Sequence, residues 1–200
     1  MKLCKRFNIG ELVVNIHFLS VLSVAMLIFA ESSIYSLLVI LCALCHEAGH
    51  IAAMYLLGAG ISEISFLPFG ADIRMKNNVG YIYELIIAAS GPLSNIICGG
   101  MLYGVYIFLP NKYILFCTFS SFFLAAINLV PAKSFDGGRI VSCLAMSLLE
   151  YEKALKLVRA SELMSLLILT FFSVVSVKLS YFNLSVAAIC IYLFVCVYLE

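Results

Sequence analysis

The sequence predicts an all-α membrane protein of about six transmembrane helices, with a short β-like or re-entrant loop after the second. Three observations predict it. Of the 200 residues 64% are hydrophobic and only 12% charged. A soluble chain of this size would leave large apolar areas facing water, whereas in a bilayer the lipid covers them. The apolar residues gather into uncharged runs close to the roughly 20 needed to cross a hydrocarbon layer about 30 Å thick. Polar segments carrying glycine and proline separate these runs. The net charge is +1 and no basic cluster occurs, which excludes a nucleic-acid partner, whose phosphates demand a concentrated positive face.

Taken in order, Leu12 to Ala30 makes the first span. Lys2, Lys5 and Arg6 precede it, as in a signal sequence, but its apolar stretch is long and no A-x-A site follows, so it reads as a retained helix. Residues 34–57 make the second span. A polar loop over 58–80 follows, with a β-like stretch from Ile61 to Leu67 before Pro68. Leu85 to Asn111 and Tyr113 to Ala132 are the third and fourth spans, and Pro131 stops the fourth. Residues 140–160 read as a connector, Leu163 to Val177 as a short fifth span, and Leu179 to Leu199 as the sixth. With the N-terminus inside, only Lys112 and Lys178 among the 12 Lys and Arg fall outside. This positive-inside bias places both termini in the cytoplasm. No repeat or separate soluble domain is evident, so residues 1–200 read as one polytopic membrane domain with a core over about 34–139. The eight cysteines lie mostly in apolar runs, where they act as small hydrophobes rather than as a disulfide framework.

The chemistry concentrates in the second span. His46-Glu47-Ala48-Gly49-His50 is an H-E-x-x-H motif. Residues four apart share a helix face, so both imidazoles can reach one metal ion, and Glu47 can take a proton from water that the metal activates. Zinc suits nitrogen ligands and lowers the pKa of bound water to about 7. From Ile34 to His46 the helix rises roughly 18 Å at 1.5 Å per residue, which puts the site inside the hydrocarbon layer, toward the cytoplasm. Ionisable groups at that depth are costly and mark function; a metal-free hydrogen-bond network is the bland reading. Two His leave a catalytic zinc one ligand short. Asp136, in a segment broken by Pro131, Gly137 and Gly138, is the best candidate, because irregular backbone at membrane depth is tolerated where it lines a cavity. A turn or cap at the membrane surface is its alternative role.

These residues resemble the site-2 proteases, intramembrane metalloproteases that pair H-E-x-x-H with a later N-x-x-P-x-x-x-x-D-G. His46, Glu47 and His50 match the first motif, and Asn128, Pro131, Asp136 and Gly137 the second. Gly91-Pro92-Leu93-Ser94-Asn95 resembles the family's G-P-x-x-N, and Leu67-Pro68-Phe69-Gly70 the loop after the metal helix in short bacterial members. The similarity runs from about residue 10 to 145. It implies zinc held by His46, His50 and Asp136, Glu47 as general base, and cleavage of a membrane-embedded segment of another protein. Asn128 is implied to help position substrate or water, with capping of the fourth span as its other role. Many relatives carry a PDZ or CBS domain, for which this chain has no room. The compact form is most similar to the sporulation-type subgroup, whose members process a membrane-bound pro-sigma factor. The resemblance thus implies regulated proteolysis of a signalling or transcription-factor precursor in a bacterial cell membrane, with an inhibitory membrane partner.

Other motifs in the sequence admit other readings. Cys42-Ala-Leu-Cys45-His46 also spells the C-x-x-C-H of c-type haem, but haem attachment inside a transmembrane helix is the wrong context. His17, in the first span, reads as a residue bonded to a neighbouring helix. Glu84 reads as a solvated helix-start carboxylate or an entry gate. An H-E-x-x-H protease of the prenyl-protein or housekeeping type would need a downstream Glu ligand, and no E-x-x-x-D pattern occurs after residue 140. A non-catalytic membrane scaffold or a metal transporter is the reading from another class.

Overall fold

The structure is a computed structural model that describes residues 4–9, 12–17, 34–67, 70–77, 79–132 and 135–178. The described chain is mostly helical, with five helices and four strands. It falls into two compact units, residues 1–125 and 126–200.

In the first unit, strands β1 (Cys4–Ile9) and β2 (Leu12–His17) form an antiparallel hairpin. Helix α1 (Ile34–Leu56) follows, then β3 (Ile61–Leu67) and β4 (Gly70–Met75), which are again antiparallel. β2 and β3 pair in parallel, Val14 opposite Ile64, giving a four-stranded sheet in the order β1-β2-β3-β4. The expected β-like stretch at 61–67 is therefore a strand, but within a larger sheet than a short loop would form. The all-α expectation is corrected accordingly. So is the start of the first span, since Leu12–His17 is extended. Leu-Val-Val-Asn-Ile-His is rich in β-branched residues that suit a pleated surface, and pairing with β3 satisfies its backbone without helix. His17 accordingly lies at the end of a strand, not in a helix. The remainder of the first expected span, and the whole of the sixth, lie outside the described residues.

α1 stops where Gly58 adopts φ 66 and Gly60 φ 64, a left-handed geometry that glycine enters without the Cβ penalty. The freed groups are bonded: Ala59 N–H reaches Met54 O at 3.0 Å, and Asn77 Nδ2 reaches Gly58 O at 3.1 Å. Ala53, Met54, Ala59, Ile73 and Ile87 form a buried cluster beneath the sheet, extended by Leu57, Ile61, Ile64 and Met75. This cluster joins the C-terminal end of α1, the sheet and the N-terminal end of α2 (Tyr81–Phe108). It fixes how the two helices approach one another.

α1 and α2 are the two helices among the described residues long and apolar enough to cross a membrane. They correspond to the expected second and third spans; α2 starts a few residues early and takes Glu84 into its first turn. Leu37, Leu41, Leu44, Ile51 and Tyr55 on α1 are exposed at spacings of four, three, seven and four residues, an apolar stripe along one helix face that suits lipid better than water. α3 (Lys112–Asn128) ends at Asn128, short of the expected boundary at Ala132. It docks on α1 through small polar groups: Ser121 Oγ lies 3.5 Å from Cys42 Sγ, and Cys42 Sγ lies 3.7 Å from Cys117 O. Tyr35 on α1 also packs edge-on against Phe116 on α3.

The second unit holds α4 (Asp136–Leu148) and α5 (Tyr151–Lys178). The connector and the fifth span of the sequence reading thus become two helices, the second continuous across both segments. Ser165 Oγ donates to Pro131 O at 3.1 Å, and Ala132 packs on Leu166 with Val130 and Phe135 alongside.

Candidate metal centre

α1 carries His46 and His50 on its buried face, together with Ser36, Cys42, Ala53 and Met54. Both imidazoles are more than nine-tenths buried, and their Nε2 atoms lie 3.3 Å apart. The rings stand nearly perpendicular at 83°. His50 Nδ1 lies 2.8 Å from the carbonyl oxygen of Ile87. A carbonyl only accepts, so this bond places the proton on Nδ1 and leaves the Nε2 of a neutral His50 as a bare lone pair. A backbone partner that orients the far side of an imidazole is how metal-binding histidines are usually held.

α2 supplies the opposite wall with residues one turn apart: Ile87, Gly91 and Asn95, all buried. A Cβ on Gly91 would collide with His50 Nε2 and come within 2.9 Å of His46 Nε2; no larger residue leaves room for both rings. One residue along α1, a Cβ on Gly49 would lie 2.6 Å from Ser90 O and 2.8 Å from Ser94 Oγ. Small residues on both helices thus permit the close approach, as in packed membrane helices. Ser94 Oγ locks it by donating across the interface to Cys45 O at 2.9 Å. Pro92, inside α2, has no N–H for the carbonyl four residues earlier. Asn95 is fully buried, with Nδ2 3.3 Å from His46 Nδ1.

Glu47 follows His46 on α1 and is partly buried. Asp136 opens α4 in its first turn, also partly buried. The turn before it is compact: Phe135 N–H bonds Ala132 O at 2.9 Å, and a Cβ on Gly137 would lie 2.5 Å from Val130 O. His46 and His50 lie in the first unit, and Asp136, the third ligand that the sequence proposes, lies in the second. Asn128 is the last residue of α3. Glu84 lies in the first turn of α2. Cys42 is buried against α3.

Gly91 and Asn95 were visible in the sequence only as part of G-P-x-x-N. Their contacts with the two rings depend on the pairing of α1 with α2, which no local pattern reveals. The Ile87 carbonyl carries no sequence signal at all.

The buried His pair of an H-E-x-x-H motif on an apolar helix is a candidate metal centre. Residues 34–114 match peptidase family M50. A zinc metalloprotease of Methanocaldococcus jannaschii is 34% identical over 117 residues, covering 56% of this chain and 34% of the relative. Stage IV sporulation protein FB of Bacillus subtilis is 29% identical over 126 residues, covering 60% of this chain and 43% of the relative. The chain thus spans well under half the length of these curated relatives. The fold is that of the site-2 protease from Methanocaldococcus jannaschii, with a TM-score of 0.67 at 24% identity, covering 94% of this chain and 92% of that one. The likeness to peptidase family M50 thus covers residues 34–114, which hold the His pair, and the likeness to the solved site-2 protease is one of fold.

Proposed function

We propose that this chain is a zinc-dependent intramembrane protease that hydrolyses a peptide bond within or next to a transmembrane segment of another protein. The observation that carries the reading is the buried His46–His50 pair, with both Nε2 atoms 3.3 Å apart and the His50 ring oriented by Ile87 O. Two imidazoles presenting nitrogen at one point suit zinc. His46, His50 and Asp136 would hold the ion, which when bound lowers the pKa of water and polarises a peptide carbonyl. The rest falls to side chains. Glu47 takes the proton from the attacking water and returns it to the leaving amine. The buried walls formed by α1 and α2 exclude bulk water, so hydrolysis depends on water admitted with the substrate. Asn128 helps to position substrate or water.

The reading extends to a single polytopic domain with both termini in the cytoplasm, supported by the distribution of Lys and Arg. Its setting is regulated proteolysis of a membrane-tethered signalling or transcription-factor precursor, supported by the likeness to a sporulation protein. Co-expression with membrane-tethered precursors tests it. Wild type should release a soluble fragment from one of them, and Glu47→Gln and Asp136→Asn should not. Release by Glu47→Gln at the wild-type rate would overturn the assignment.

A further inference from the structure

We propose that Asn95 is the positioning residue of His46, its amide oxygen accepting the Nδ1–H of that ring and so keeping the Nε2 lone pair available to a metal ion. This rests on the metal-centre reading and deepens it.

Proton positions decide which ring nitrogens can ligate. His50 has its proton on Nδ1, held by Ile87 O at 2.8 Å, so in the neutral ring its Nε2 accepts or ligates. His46 Nε2 lies 3.3 Å away. With its proton on Nε2, His46 would donate to His50 and could not ligate through that atom. With the proton on Nδ1, Nε2 is bare and both rings present lone pairs to one point. His46 Nδ1 faces the Asn95 amide at 3.3 Å, so that amide bears on the choice. An amide NH2 turned to Nδ1 favours the first tautomer, and an amide oxygen favours the second.

Asn95 can supply either face. It is 0% exposed, and its Oδ1 has no hydrogen-bond partner, so rotating the amide toward Nδ1 gives up no other bond of that oxygen. A buried amide in a membrane helix is costly unless it has such a use. Its place one turn beyond Gly91 puts it against the His46 ring. An aspartate here could only accept and would enforce the ligating tautomer. A leucine could do neither.

The test uses the full chain in lipid bilayers with 15N-labelled histidine. The chain has only three His, and the nitrogen shifts report which atom carries each proton. Zinc affinity is measured in parallel by chelator competition for wild type, Asn95→Asp and Asn95→Leu. The proposal expects zinc-loaded wild type to show His46 protonated at Nδ1. It expects Asn95→Asp to bind zinc within about threefold of wild type and to show that tautomer even before zinc is added. Asn95→Leu should lose about 10–100-fold in affinity. Equal zinc binding by Asn95→Leu and wild type would overturn the proposal. So would a loss in Asn95→Asp as large as that in Asn95→Leu, because a packing role alone would then account for both. Wild type that takes up no zinc would instead overturn the metal-centre reading itself.

Discussion

Replacing Gly91 with alanine adds one methyl group at the point where the two imidazoles meet. That carbon would lie 2.9 Å from His46 Nε2 and closer still to His50 Nε2. Ordinary contact between such atoms is about 3.5–4.0 Å, so at least one ring must move by about 0.6 Å or more. Metal ligands tolerate only about 0.2 Å of error. Overpacking of this kind costs about 1–3 kcal/mol, which falls on the ligand atoms and corresponds to about 5–150-fold weaker zinc binding. Gly100→Ala is the control on the same helix, because a Cβ there meets nothing within 4 Å. It should leave zinc affinity unchanged and gain about 0.5–1 kcal/mol of helix stability. Chelator competition on both purified variants, with thermal unfolding in the same detergent, reads the two effects separately. Equal zinc affinity in Gly91→Ala and Gly100→Ala would refute the reasoning that places both rings against this glycine.

Glu47→Gln should retain zinc at the wild-type level while cleavage falls by about 10²–10⁴-fold, the usual contribution of a general base; metal analysis beside a cleavage assay checks it. Ser94→Ala removes the bond to Cys45 O at 2.9 Å and should cost about 0.6 kcal/mol, at most about 1.7, by reversible unfolding in detergent; a larger loss would mean Ser94 does more than join the helices. Gly137→Ala sets a Cβ 2.5 Å from Val130 O and should destabilise the 126–178 unit by about 1–3 kcal/mol, seen as faster proteolysis or hydrogen exchange there.

How much of this was legible in the sequence depends on the range of the interactions. α1 could be read almost residue for residue, since an uncharged run and the four-residue His spacing are local signals. So could β3, where Ile61 to Leu67 lies between glycines and a proline. β2 could not. Leu12 to His17 sits at the head of a long uncharged run that length alone assigns to a helix, and its parallel partner β3 is some 50 residues away in sequence. The same limit applies to the centre. His46, Glu47, His50 and Asp136 announce themselves through residue type and spacing. Gly91 and Asn95 acquire meaning only when α2 is laid against α1. The fifth expected span misled because its charged leading segment, Tyr151 to Arg159, suits a surface connector. The structure instead runs one helix through it, since Lys, Glu, Leu and Ala there are all good helix formers.

The most direct test of the account is the zinc content of the purified full chain, measured by elemental analysis for wild type and for the double variant His46→Ala/His50→Ala. The account predicts about one zinc per wild-type chain, as expected of a single catalytic site, and none above background in the double variant. Zinc retained at the wild-type level without both histidines, or absent from a folded wild-type chain supplied with the metal, would contradict it.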